Sequence, residues 1–412
     1  MSAGTTRAPA VRWVILAVYA LLAACTQLLW LTFAAIDTDT AKVLHTDVGT
    51  VGDLAAIFPF VYVVLALPVG RRLDSHFTQS LGIGAVLSGG GALIRLIAPS
   101  SFTVQLIGQL VIAAGQPFVL NSITKVAARY FPQSQRATAI SVGSVALFIG
   151  ILAAVLIAGP LFTAGGLGLV LTVEAVPSVV AMALMVLLLR VPAVYTDDAS
   201  TAVSLRWLIR DRFMWLLAGL IFIGMGVYNA VATWLQPVLA KFGEGGAAGN
   251  LIAVLTAGGI VGAAVLPPLV ATREQRRPML IIALAFSALA FAATDIRHDV
   301  VWLTIWLFAT GFLLMSCLPV VLDWSAVHAG PAHEGSAAGF LLMAGNLGGV
   351  VLVLVIQAVM GNAYLPLAAL AVVGVLGLPL AVGLPGRAPL RSIGQAVPDQ
   401  AVSAVPASRR DA

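Results

Sequence analysis

The chain is short of charge: Asp, Glu, Lys and Arg make up only 9% of its 412 residues. Soluble domains carry roughly a quarter, so this scarcity excludes a water-facing surface over most of the protein. Cysteine is scarce too. Cys25 and Cys317 lie inside apolar runs far apart in the chain, which excludes a disulfide framework in the loops. The five His residues, His45, His76, His298, His328 and His333, fall in loops or at helix ends. No His/Glu metal pattern, Ser/His/Asp set or paired Asp lies on an apolar run, and there is no nucleotide-binding loop. These absences disfavour an intramembrane enzyme and ATP-driven action by this chain alone. No cofactor or metal is expected.

Apolar residues are what the chain has in abundance, at 60% of the total and a mean hydropathy of +1.03. A membrane span needs about 20 predominantly apolar residues. The pattern predicts an all-α integral membrane protein with twelve transmembrane helices, at 12–36, 49–70, 79–98, 102–126, 137–160, 166–189, 213–240, 248–270, 278–296, 300–322, 336–359 and 362–384. The first run follows Arg7 and Arg12, is too long for a signal peptide, and is read as a span. With the N-terminus inside, all of the 22 Lys and Arg residues except Lys42, Arg95, Lys241 and Arg297 fall on the cytoplasmic side. Both termini are then cytoplasmic. The basic balance faces anionic headgroups, and no nucleic-acid partner is needed to explain it. Arg dominates the basic set of an Ala/Val/Gly-rich chain, which points to a GC-rich bacterial genome and to the plasma (inner) membrane.

The chain repeats itself. "LPVGRRLDSHFTQSLGIGAVLS" from Leu67 lies over "LPPLVATREQRRPMLIIALAFS" from Leu266, an offset of 199 residues. "RATAISVGSVALFIG" from Arg136 lies over "EGSAAGFLLMAGNLG" from Glu334, an offset of 198. These offsets divide the chain into an N-terminal half (1–190), a cytoplasmic linker (191–211), a C-terminal half (212–385) and a disordered tail (386–412). Two pseudo-symmetric six-helix bundles joined in this way resemble the major facilitator superfamily. That resemblance implies a site near the bilayer midplane between the halves, with access alternating as they rock. "GRRLDSHFTQ" after the second helix resembles the superfamily's Gly-x-x-x-Asp-Arg-x-Gly-Arg-Arg motif, keeping Gly70 and Asp74. By that resemblance Asp74 latches the cytoplasmic ends.

Polar residues on the spans supply the candidate site. Gln105, Gln109 and Gln116 share a face of the fourth helix, and Asn229, Thr233 and Gln236 form a stripe on the seventh. Gln27 and Trp30 share a face of the first, and Asn346 sits mid-way along the eleventh. Each amide could simply tie helices together, a contribution of about 1 kcal/mol. Gln27, Gln116, Asn229 and Asn346 lie at comparable depths, however, which points to one shared polar cavity.

Two blocks narrow the family. "GQPFVLNSITKVAARYFPQSQRATAISVGS" (115–144) and "GFLLMSCLPVVLDWSAVHAGPAHEGSAAGFLLMAGNLGG" (311–349), with "LLWLTFAAI" (28–36) and Asp53, resemble the feline leukaemia virus subgroup C receptor-related transporters. The resemblance implies an amine such as choline or ethanolamine, or a haem-like compound, as solute. It also implies a cage with an aromatic at Trp30 and amides at Gln116 and Asn346, while the second aromatic position is occupied by Asn229. Trp30 could engage a quaternary ammonium by cation–π attraction, at roughly 1–2 kcal/mol.

Charged residues in or at the ends of spans are candidates for gating and coupling. Glu174 is a candidate proton carrier. Asp53 and Arg95 are expected to pair at the outer ends of adjacent helices. Asp323 and Glu334 bracket a turn equivalent to the basic one around Lys125 and Arg136, and this opposition predicts a latch between the halves. The expected partners are a small-molecule substrate, H+ or Na+ as coupling ion, and the lipid bilayer, with the chain acting as a monomer. Proton-coupled efflux of drugs or metabolites and a non-transporting receptor or sensor are the alternatives.

Overall fold

A computed structural model describes residues 8–193, 195 and 205–387, and every regular element among them is helical. Most of the expected linker and tail therefore lies outside the described residues. Four long helices open the chain: α1 (Ala8–Leu31), α2 (Val48–Ser75), α3 (Phe77–Ile97) and α4 (Phe102–Leu120, continued by Ile123–Tyr130), with a short helix, Asp37–Val43, between the first two. The next helical run, Gln133–Leu188, is 56 residues long. At 1.5 Å per residue it would extend about 84 Å, far more than one bilayer. Gly165 and Gly166 break it with non-helical dihedrals, and Gly166 has φ +67°. Glycine adopts that left-handed geometry without a Cβ clash. The run is thus two antiparallel arms, α5 (133–164) and α6 (167–188).

The second set comprises α7 (Arg212–Ala240), α8 (Ala248–Thr272), α9 (Arg276–Ile296), α10 (Val300–Leu314, continued by Cys317–Ala329), α11 (Glu334–Val359) and α12 (Leu365–Val382). Eleven helical stretches are long and apolar enough to cross a membrane. The glycine corner divides one of them, giving the twelve expected spans. Large apolar side chains such as Phe60, Ile97, Ile296 and Val301 face outward, as lipid permits.

α1 packs along the α5–α6 arms, and α7 packs along α11. Two seams join the sets, α2 against α11 and the α5–α6 run against α8. The α2–α11 seam is tight because glycines meet there. A Cβ on Gly70 would stand 2.6 Å from the Gly335 carbonyl oxygen, so neither backbone could approach as closely with a larger residue.

α4 and α10 share a feature absent from the sequence reading, which ran them unbroken through 102–126 and 300–322. Each breaks at a serine and then continues. Ser122 donates to the Phe118 carbonyl and Ser316 to the Phe312 carbonyl, both at 2.5 Å. A serine bonded back to the carbonyl four residues earlier bends a helix. Tyr19 also donates to the Val119 carbonyl at 2.9 Å, which accepts from the Ser122 N–H at 3.1 Å as well. The two continuations carry Lys125 and Asp323 inward, at the end of the bundle rich in Arg (the basic end). The opposite end holds Asp37, Asp39, Asp47, Asp53, Asp295 and Asp299 (the acidic end).

Candidate functional site

At the basic end a carboxylate from one half holds backbone from the other. Asp74 closes α2, buried. Its Oδ1 accepts from the Gly335 N–H at 2.8 Å, and its Oδ2 accepts from the N–H and hydroxyl of Ser336 at 3.0 and 2.5 Å. Gly335 and Ser336 are in the first turn of α11, where unpaired N–H groups and the helix dipole favour an anion. Lys125 lies 3.1 Å from the same carboxylate and donates to the Pro331 carbonyl at 2.7 Å. Thr124 donates to the Glu334 carbonyl at 3.2 Å. The basic end is therefore sealed by side chains of the first half against the backbone and the Ser336 hydroxyl of the second.

This seal corrects part of the expected latch. Asp323 does not reach across. Both Arg276 Nε and Nη2 donate to its Oδ2, at 2.9 and 2.7 Å, within the second half. Arg136 donates to the Ala128 and Phe131 carbonyls of its own half. Glu334 takes part through its carbonyl, while its buried Oε2 has no hydrogen-bond partner among the described residues. Lys125, expected only as one charge of the basic turn, is central. Its signal in the sequence was a lysine inside an otherwise apolar span, which the positive-inside rule accounted for too readily.

The polar residues of the spans divide into two groups. Gln27 and Gln116 are buried, and Trp30 donates its indole N–H to the Ala55 carbonyl of α2 at 2.9 Å. Asn229 and Asn346 each donate to the carbonyl four residues earlier, Met225 and Leu342. Their side-chain oxygens take no protein hydrogen bond among the described residues, so neither amide is a hydrogen-bonded tie between helices. Asn229 stands directly against Gly349 of α11, and Thr233 and Gln236 are exposed on α7. A small apolar pocket lined by Ala230, Trp234, Ile356 and Leu370 lies apart from all of these and has nothing polar to orient a solute.

Gln105 and Gln109, which share a face with Gln116 in the sequence, serve a different purpose. They join a buried cluster near the acidic end. Arg95 Nη2 lies 3.4 Å from Glu174 Oε2, and Arg95 Nη1 donates to the Leu29 carbonyl at 3.3 Å and Gln109 Oε1 at 3.4 Å. Gln105 donates to the Arg95 carbonyl at 2.9 Å, and Thr32 to Glu174 Oε2 at 2.5 Å. The expected Asp53–Arg95 pair is absent. Asp53 is exposed on α2, whereas Arg95 turns inward to Glu174, which offers the buried guanidinium a counter-charge.

A family description, Major Facilitator Superfamily, matches residues 15–353. The chain belongs to that superfamily. It is accordingly a multi-pass membrane transporter, not an enzyme. Solute carrier family 49 member A3 of Danio rerio is 28% identical over 379 residues, covering 86% of this chain and 80% of that protein. The choline/ethanolamine transporter flvcr2b of Danio rerio is 22% identical, covering 85% of this chain and 78% of its own. Among solved structures, the E. coli fucose:proton symporter FucP aligns with a TM-score of 0.71 at 17% identity, covering 91% of this chain and 99% of that one. At that identity the likeness speaks for the fold.

In this transporter the α2–α11 seal and the buried α1–α3–α4–α6 cluster lie at opposite ends of the first half. Between them stand Gln27 and Gln116, while Trp30 lies beside the cluster, between Leu29 and Thr32 in the chain. Sequence position alone could not show that Arg95 and Glu174 meet, because 79 residues separate them.

Proposed function

We propose that the chain transports a small organic solute by alternating access between its halves, and that the solute is an amine of the choline or ethanolamine kind. The halves are 1–190 and 212–385, acting as a monomer in a plasma membrane. The basic end is cytoplasmic by the positive-inside rule, so the sealed basic end corresponds to a state closed to the cytoplasm. The Arg-rich composition supports a bacterial inner membrane.

The observation that carries the substrate class is the state of the inward-lying cations. Arg95 is held by Glu174 and Lys125 by Asp74, so neither is available to counter an anionic solute. What remains on α1, α4, α7 and α11 is neutral and suited to a cation: Trp30, Gln27, Gln116, Asn229 and Asn346, with Thr233 and Gln236 further along α7. The acidic end concentrates exposed carboxylates, which raises the local concentration of cations. The relatives named for choline and ethanolamine support the same class.

The test is a thermal-shift screen of purified protein against choline, ethanolamine, haem and small metabolites, with Trp30→Ala in parallel. Saturable stabilisation by a quaternary amine that is lost in Trp30→Ala is the expected result. Stabilisation only by an anion or by haem, or a choline response indifferent to Trp30, overturns the amine reading and leaves the transporter fold intact.

A further inference from the structure

The buried cluster near the acidic end holds more polar atoms than it satisfies. Arg95 is 1% exposed and Glu174 0%, yet they meet through one contact at 3.4 Å. Glu174 Oε1, Arg95 Nε and Gln105 Oε1 have no hydrogen-bond partner among the described residues. A pair kept only to hold the fold is expected to use the guanidinium fork bidentately and to fill its lone pairs, because each unmet buried polar atom forfeits its hydration without replacement. Here one carboxylate oxygen is left open, and the contact is loose enough for Arg95 to lean on other acceptors.

We propose that Glu174 is a proton-binding site of this transporter, with Oε1 as the atom that takes the proton. The proton comes from bulk water and converts carboxylate to carboxylic acid. Arg95 then carries a positive charge without its counter-ion, and its contacts with the Leu29 carbonyl, Gln109 Oε1 and the Phe33 ring face (4.9 Å) must carry it. Those contacts bear on the last turn of α1. Leu29 precedes Trp30 in the chain, and Thr32, which donates to Glu174, follows two residues later. The charge on Glu174 thereby sets how the end of α1 sits on α3 and α6, and hence where Trp30 stands. The charged and titratable groups facing the site are Arg95 from α3 and Cys25 from α1, while α4 contributes neutral Gln105 and Gln109 and α2 the Leu54 carbonyl, to which Gln109 donates. The inference rests on the transporter reading but not on the amine: it assigns the coupling ion, not the solute.

The experiment is pH-difference infrared spectroscopy on the full chain in lipid nanodiscs, together with tryptophan emission over the same pH range. The wild type is expected to show a protonated-carboxyl stretch that grows on acidification. That band is lost in Glu174→Gln, regained at a shifted frequency in Glu174→Asp, and retained in Glu334→Gln. The Trp30 contribution to the pH-dependent emission, taken as the difference between wild type and Trp30→Phe, is expected to vanish in Glu174→Gln. A wild-type carboxyl signal from which Glu174→Gln removes nothing, or no titrating buried carboxyl at all, overturns the site. A Trp30 contribution to the emission change that survives Glu174→Gln overturns the link to α1. If the Glu174 band behaves as expected while no amine stabilises the protein, the proton site stands and the amine reading alone fails.

Discussion

Lys125 and Asp323 stand 198 residues apart, the same spacing as Arg136 and Glu334, on matching continuations of α4 and α10. Both are buried, and among the described residues each forms an ion pair with a group of opposite sign, Asp74 or Arg276. Their work differs. The Lys125–Asp74 pair lies within the first half but reaches across the boundary, to the Pro331 carbonyl and the Gly335 and Ser336 N–H groups, whereas the Asp323–Arg276 pair hydrogen-bonds inside its own half. Pseudo-symmetry has thus preserved the places where charge is buried, but only one half uses that charge to hold the other. The difference follows from what each carboxylate finds. Asp74 faces the unpaired N–H groups of a helix start, while Asp323 faces an arginine.

Asp74→Asn breaks the comparison with the largest expected effect. Lys125 is left buried without its counter-charge, and truncating one partner of a buried pair costs about 3–5 kcal/mol. If most of that falls on the sealed state, transport measured in proteoliposomes should drop by at least about ten-fold. Gly70→Ala attacks the same seam sterically. Its Cβ meets the Gly335 carbonyl oxygen at 2.6 Å, and overpacking of this kind costs about 1–3 kcal/mol. A shift toward the state open at the basic end, read by spin-label distances between the halves, is expected. Asp323→Asn should lower thermal stability by about 2 kcal/mol, the scale of a charged hydrogen bond, without moving the seam.

The smallest effect belongs to a site with no counterpart in the first half. His298 stacks on Phe242 with ring centroids 3.6 Å apart, and burial lowers its pKa despite the opposing charge of Asp295. A lowered histidine pKa means that the folded state binds fewer protons than the unfolded chain. Stability from this source is present at neutral pH and is lost as pH falls below the ordinary histidine value. A modest acid-side decline in thermal midpoint that is reduced in His298→Phe is the expected outcome.

Much of the scaffold was legible in the sequence, since hydropathy alone locates spans and the two offsets expose the halves. Even the Gly165–Gly166 corner was expected as a brief turn within a continuous apolar run. The serine breaks in α4 and α10 were not, because residues 121, 122, 315 and 316 keep near-helical dihedrals and the apolar pattern runs through them. Asp74 was readable from its motif. Most of its partners were not, because two are backbone N–H groups of another helix, which leave no residue signature, and the Ser336 hydroxyl lies 262 residues away. The Asp53–Arg95 expectation failed for a related reason. Two charges at neighbouring helix ends look paired in sequence, but burial of Arg95 selects whichever carboxylate lies inside, and that is Glu174.

One measurement tests the asymmetry directly. Thr124 is buried between the halves, and both native cysteines are buried. Maleimide labelling of Thr124→Cys can therefore be compared in three backgrounds: otherwise unaltered, Asp74→Asn and Asp323→Asn. The predicted result is slow labelling in the first, an increase of at least about ten-fold with Asp74→Asn, and no increase with Asp323→Asn. Equal acceleration in both variants, or acceleration with Asp323→Asn alone, would contradict a seal held by the first half.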